Sequence, residues 1–360
     1  MSDVVLNIGG TKYAGWVSLD ATISMENLSG QFEATITDTS SMDNKPIRAL
    51  PTIRPGLTCE VYVNDQIVIT GYVDTVTPSI DAESHSITVK GRDKTGDLVD
   101  CSMIEGSGQW KGLTIQQIIK RICDPFSIPV TLEASEGAAF NNFLVEQGST
   151  CFETIQKLCY MRQLLALSDG RGGLKLTKSS TEKLATDLIE GVNIKSGEAE
   201  YDFSDRFSVY ICKGQRQGDD TTTPVTVASN VGQVTDRVIT RYRPLLILAE
   251  GQADIDTCRK RAGWEAAIRK GKSQRYTITH TGWSQQNGNI WEINKLIYLR
   301  SVLLGVDGTF LISEVNFKLD ESGEIAVLKL TQPEAFTLDG RQSPDKGKTS
   351  PYIQVPATTA

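Results

Sequence analysis

Between Val4 and Asp100, apolar and polar residues change places at every step: Val4, Leu6 and Ile8; Phe32, Ala34 and Ile36; Leu57, Cys59, Val61 and Val63; Ile87 and Val89. Successive side chains of an extended chain point to opposite faces, so a period of two buries one face and wets the other. Gly9-Gly10 and Asn64-Asp65 punctuate these runs, and such residues accept the backbone conformations of tight turns. The pattern predicts antiparallel strands forming a β-barrel or sandwich of about 100 residues.

The period changes after residue 103. Leu113, Ile115, Ile118, Ile119 and Ile122 fall on one helical stripe that stops at Asp124-Pro125, where proline cannot continue a helix. A second stripe, Phe152, Ile155, Leu158 and Cys159, starts behind Ser149 or Thr150, and LLALSDGRGGLKLTK follows as a hairpin. IIKRIC at 118–123 is echoed by TIQKLC at 154–159. Strands return at Tyr201, with Phe207, Val209 and Ile211 alternating and further strand-like runs near 223–228 and 236–249. A helix is predicted over about 253–270, with Ile255, Cys258, Ala262 and Ala266 inward and Arg259, Lys260, Arg261, Arg269 and Lys270 outward. FLISEVNFKLDESGEIAVLKL is predicted to turn at Ser322-Gly323. After Phe336 the chain is rich in Ser, Thr, Pro, Gly, Lys and Asp, a composition that lacks core-forming side chains.

These runs predict an α+β, β-rich chain: a β-barrel domain over 1–103, an α/β insert with two helix-containing halves over 104–195, a second β-barrel domain over 196–336, and a flexible tail over 337–360. A chain of 360 residues exceeds one ordinary core, which agrees with several domains.

Composition excludes several classes. No run approaches the roughly 20 apolar residues of a membrane helix, and MSDVVLNIGG lacks a basic segment before an apolar one. The sequence predicts a protein with no membrane anchor that is not exported by the general route. Seven cysteines are scattered without a CxxC, which signals neither a zinc site nor a disulfide framework and predicts buried apolar thiols. Residues 1–100 hold 7 basic and 14 acidic side chains, whereas 201–300 hold 15 and 10. An acidic first block repels phosphate and argues against its clamping DNA.

Side chains suited to catalysis are sparse. The two histidines, His85 and His280, lie in strand-like runs without the context of a nucleophile or a general base. DGRGG at 169–173 lacks the phosphate-loop pattern and joins two strands, which makes it a turn. Asp219-Asp220 and Asp320-Glu321 are paired carboxylates in polar turns, and the basic helix face with Trp264 could meet nucleic acid but more simply meets water or an acidic partner. The expectation is a non-enzyme with no catalytic, cofactor-binding or metal site.

Several stretches resemble the baseplate hub proteins of Mu-like contractile-tailed phages: TCEVYVNDQIVITGYVDTVTPSID, SHSITVKGRDKTGDLVDCS, LTIQQIIKRICDPFSIPV, LLALSDGRGGLKL, GWSQQNGNIWEINKL and GTFLISEVNFKLDESGEIAVLKLTQPEAF. The likeness lies in the order and spacing of ordinary segments up to about Phe336. The resemblance implies two related antiparallel β-barrel domains flanking a small α/β domain. It further implies a homotrimer, whose ring adapts the hexameric tail tube, or a tube-initiator protein, to a trimeric central spike below, beside baseplate wedge proteins. DNA would pass through the channel without specific binding, and the particle, a virion tail baseplate, would be assembled in the host bacterial cytoplasm. The alternative is a peptidoglycan-binding or cell-wall-cleaving tail component, since the middle region could hold a wall-binding module.

Overall fold

The computed structural model describes residues 4–37, 41–42, 45–46, 53–80, 85–104, 108–215, 230–252, 255–321 and 323–336. The expected tail at 337–360, the strand-like run at 223–228, Asp219-Asp220 and Ser322 fall outside them.

The first block contains β1 (Val4–Ile8), β2 (Thr11–Tyr13), β3 (Ser18–Ser24), β4 (Gln31–Thr37), a short ribbon of β5 (Ser41–Met42) with β6 (Lys45–Pro46), β7 (Thr58–Val63), β8 (Gln66–Ile80) and β9 (His85–Asp93). Ile8 pairs with Thr11 and Val63 with Gln66, so Gly9-Gly10 and Asn64-Asp65 form two-residue hairpin loops. All four loop residues have positive φ, at +57° and +85° for the glycines and +48° and +60° for Asn64 and Asp65, as the twist of tight hairpins requires. The alternation buries Leu6, Phe32, Ala34, Ile36, Val61 and Val89 in one core.

The middle region contains α1 (Gly96–Asp100), β10 (Gln109–Trp110), α2 (Ile115–Cys123), β11 (Val130–Leu132), β12 (Phe143–Leu144), α3 (Cys151–Arg162), β13 (Leu165–Ser168) and β14 (Leu174–Thr177). The echo between 118–123 and 154–159 is structural. Thr114 and Thr150 cap α2 and α3 with the same reciprocal capping box, to Gln117 and Glu153. Ile115, Ile119, Ile122 and Cys123 in one helix, and Cys151, Ile155, Leu158 and Cys159 in the other, enter a shared second core. The α2 stripe stops at Asp124-Pro125 in a short 3-10 turn, as expected.

The remaining elements are β15 (Leu188–Ile189), β16 (Ile194–Tyr201), β17 (Val209–Gln215), β18 (Asn230–Thr235), β19 (Pro244–Gln252), α4 (Ile255–Lys272), β20 (Gln274–Thr281), β21 (Leu296–Ser301), β22 (Val306–Asp320) and β23 (Gly323–Thr331). Three differences from the expectations appear here. The strands on either side of the helix do not share a sheet: β18, β17 and β19 form a separate three-stranded ladder that α4 covers through Cys258 and Ala262. Residues 236–243, expected to be extended, form the connection between β18 and β19. On α4, Ile255 is not inward but 49 % exposed, Asp256 and Thr257 beside it are exposed too, and burial against the small sheet begins at Cys258.

β16, β20, β23 and β22 join β3 of the first block, giving one 13-stranded sheet ordered β16-β20-β23-β22-β3-β4-β9-β8-β7-β1-β2, with β21 and β15 branching from β22. This sheet, antiparallel except where β15 runs parallel to β21, and its large core carry the β-rich fold.

Candidate assembly surface

The two blocks meet strand to strand. β3 pairs antiparallel with β22 from Leu19↔Leu319 to Ser24↔Glu314. On the core side Ala21, Val315 and Phe317 are fully buried. On the other side Asn316 Nδ2 donates to Asp20 Oδ1 at 2.9 Å and Thr22 Oγ1 at 2.8 Å, and Lys318 Nζ lies 3.3 Å from Asp20. The joint therefore combines a backbone ladder, an apolar seam and a polar lock.

The blocks also share one plan. Leaving the joint aside, the first runs β1-β7-β8-β9-β4-β3 and the second β15-β21-β22-β23-β20-β16, the two differing in that β1 is antiparallel to β7 whereas β15 is parallel to β21. β8 and β22 are each 15 residues long, and each bends at an irregularity against its hairpin partner, between Val73 and Thr75 and between Ile312 and Glu314. One shift in numbering carries Thr75 onto Glu314 and their partners Lys90 onto Lys329. A bulge lets a long strand leave one neighbour and take another, and both blocks use it at the same place. Few residue identities announce this correspondence: Val76 matches Val315 and Lys90 matches Lys329, but Asp74 and Ser313, Thr75 and Glu314, and Pro78 and Phe317 differ.

Several side chains weighed for chemistry make packing and turn contacts where they are described. His280 Nδ1 donates to the Gly282 carbonyl at 3.2 Å and its ring packs edge-on against Trp291. His85 lies on β9 opposite Ile80, away from His280 in the sheet order. DGRGG is a hairpin turn: Asp169 Oδ1 accepts from Arg171 N and Gly173 N, both at 2.8 Å. Gly170 has φ +71°, and a Cβ there would come within 2.6 Å of Val68 O, so the turn docks tightly on β8. Trp264 packs on Tyr160 with Arg261 stacked over it, which joins α4 to α3. Arg261 and Arg269 both bind Glu265, while Arg259 and Lys260 face outward.

Six cysteines are buried as expected and Cys101 is exposed; none is bonded. Burial pushes the Cys59, Cys123 and Cys159 thiols up to about 12, so they stay protonated and unreactive. Among the described residues no group of three or more His, Cys, Asp or Glu side chains is placed to hold a metal. No helix among the described residues is long and apolar enough to cross a membrane. An open cleft of about 390 Å³ between β12 and α3 is lined by Glu146, Glu153 and Lys157; Lys157 pairs with Glu146, and Glu153 accepts from Thr150 N in the α3 cap.

One buried carboxylate escaped the sequence reading. Asp93 accepts from Gly30 N at 3.0 Å, from Thr95 N at 2.9 Å, and from the Thr95 hydroxyl, which also donates to Leu28 O. Ser168 of the middle region also bonds to it, and burial raises its pKa. Asp93 thus ties the first block to the start of α1 and to β13. The DKT sequence around it reads like any polar turn, so only its burial reveals the role.

Family models match three segments: the Mu phage baseplate assembly protein GpP-like N-terminal domain over 3–93, the second domain of gp44-like baseplate hub proteins over 95–178, and the GpP fourth domain over 255–339. The baseplate hub protein gp44 of Escherichia phage Mu is 33% identical over 344 residues, covering 92% of this chain and 88% of its own. The 43 kDa tail protein of prophage MuSo2 from Shewanella oneidensis is similar in structure, with TM-score 0.83 and 35% identity over 94% of this chain and 99% of its own. A tail protein from Neisseria meningitidis shares the fold, with TM-score 0.80 and 22% identity over 94% and 98% of the two chains. With its strand order, its segment order and these relatives in agreement, the chain belongs to the family of Mu-like phage baseplate hub proteins, structural components of the phage tail.

Proposed function

We propose that three copies of this chain close into a ring that adapts a hexameric tail tube to a trimeric central spike and leaves a channel for DNA. The observation that carries this reading is the shared strand order of the two blocks. A threefold assembly can meet a sixfold one only if each chain offers two like surfaces, about a sixth of a turn apart, and a duplicated block supplies them. The tube or its initiator would sit above, the spike below and wedge proteins around. The role is structural: His280 is engaged in packing, and Glu146 and Glu153, which line the cleft beside α3, are taken up by Lys157 and by the Thr150 cap.

DNA would pass without specific binding. The first block carries 14 acidic against 7 basic side chains over residues 1–100, which would keep the channel from holding phosphate. Assembly would take place in the host cytoplasm, where the free thiols stay reduced. Light scattering on the purified protein tests the ring: three chains of 39.4 kDa give about 118 kDa. A stable 39.4 kDa monomer at micromolar concentration overturns it.

A further inference from the structure

We propose that β16 of one copy pairs antiparallel with the Asp74–Ile80 arm of β8 in a second copy, repeating between chains the β3–β22 joint made within one. The proposal rests on the ring reading above and names the contact that builds it.

The shared plan makes β16 the counterpart of β3, and β8 the counterpart of β22. On β22 the flank beyond the bulge, Glu314–Leu319, is filled by β3. On β8 the same flank is bare among the described residues, because β7 pairs only as far as Tyr72. The outer flank of β16 is bare too among the described residues, where β16 ends the sheet order and pairs only with β20. Each chain therefore carries one filled joint and, at separate places, both halves of an unfilled one.

Backbone direction agrees. Asp202 N donates to Ser273 O, so alternation turns Tyr201, Ala199 and Gly197 toward the free flank of β16. Asp93 N donates to Gly30 O, so Arg92, Lys90, Thr88 and Ser86 face β8 and engage Thr75, Thr77 and Ser79 among their partners. Val76, Pro78 and Ile80 are left facing outward. In the joint within the chain, Met25 N donates to Ser313 O, which likewise turns Ile23, Ala21 and Leu19 toward β22. Transferring that register sets Tyr201 against Val76, Ala199 against Pro78 and Gly197 against Ile80.

The side chains fit the same alignment. Val315 and Phe317 are fully buried and Leu319 is 8% exposed, whereas Ile80, the counterpart of Leu319, is 76% exposed and Tyr201 49% exposed. Apolar residues thus stand in water where the filled joint has core, and a second copy would cover them. On the polar side the Thr77 and Ser79 hydroxyls would oppose Glu200 and Glu198, where Asn316 and Lys318 oppose Thr22 and Asp20. Pro78 offers a carbonyl but no N–H, so the arm makes a poorer ladder for indiscriminate strands.

Thr77→Cys with Glu200→Cys, in a Cys101→Ser background, tests the pairing. These two residues would be a directly opposed, non-hydrogen-bonded pair with Cα atoms about 4.5 Å apart, within disulfide reach. Copper–phenanthroline oxidation should yield a trimer band on a denaturing gel that collapses to monomer on reduction, while either single cysteine variant yields none. A trimer by light scattering without that band overturns the β16–β8 pairing and leaves the ring intact; a monomer at tens of micromolar overturns both. Ala199→Pro removes an N–H from the free flank of β16 only, so it should convert trimer to monomer with unchanged circular dichroism. A folded Ala199→Pro trimer overturns the pairing.

Discussion

Asn316 on β22 holds Asp20 and Thr22 of β3 with one amide nitrogen, at 2.9 and 2.8 Å, across 296 and 294 positions of sequence. A partly buried donor shared between two acceptors couples the ends of the chain. Asn316→Ala should cost about 1–3 kcal/mol, the usual cost of stranding such partners. Asn316→Asp should cost more, because it sets a second carboxylate beside Asp20. Urea unfolding of both variants checks the order, and an Asp variant as stable as the Ala variant contradicts the lock.

Two glycines near α4 should respond in opposite directions. A Cβ on Gly232 would fall 2.2 Å from Arg259 N and 2.5 Å from Cys258 C, so β18 lies against the helix backbone itself. Gly232→Ala should push α4 off its sheet at about 1–3 kcal/mol, as overpacking does, and shift the fluorescence of Trp264 on that helix. Gly263 lies inside α4, and its Cβ would meet only Val234 Cγ2 at 3.8 Å. There, Gly263→Ala should stabilise by about 0.5–1 kcal/mol through helix propensity.

Arg206 is nearly fully buried and forks onto Asp236 Oδ2, with Nε at 2.9 Å and Nη2 at 2.7 Å, while stacking on Phe203. Removing one partner of such a pair leaves an uncompensated charge, so Arg206→Ala should cost about 3–5 kcal/mol. Arg206→Ala with Asp236→Ala should recover part of that loss in a double-mutant cycle of thermal unfolding. A double variant no better than the single one contradicts the pairing.

Local chemistry made much of the fold legible in the sequence. Gly9-Gly10, Asn64-Asp65 and the Thr114 and Thr150 caps act over a few residues, so reading along the chain finds them. The β3–β22 joint does not act locally: Asp20 and Asn316 are ordinary polar residues on alternating strands, and nothing in either run says which strand lies beside it. The grouping of β17, β18 and β19 under α4 escaped for a similar reason. Period two says that a segment is extended, not which sheet it joins. The assembly surface was equally silent, because Ile80 and Tyr201 continue their strands' patterns and only their exposure sets them apart.

Asp93 gives stability a pH dependence of defined sign. Its backbone and hydroxyl donors favour the charged carboxylate, but burial outweighs them and raises the folded pKa above the ordinary value of 3.8. In the window between the unfolded and folded values the folded chain therefore holds more protons, and stability falls as pH rises. The contribution is fullest below the unfolded value and is lost as pH climbs through the folded one. Asp93→Asn removes this titration and sets an amide N–H₂ against donors that need an acceptor, at a cost of about 1–3 kcal/mol. Unfolding free energies should thus place the wild type furthest above Asp93→Asn near pH 4, with the gap narrowing toward neutral pH. A gap that widens with pH would mean that the donors, not burial, govern the carboxylate.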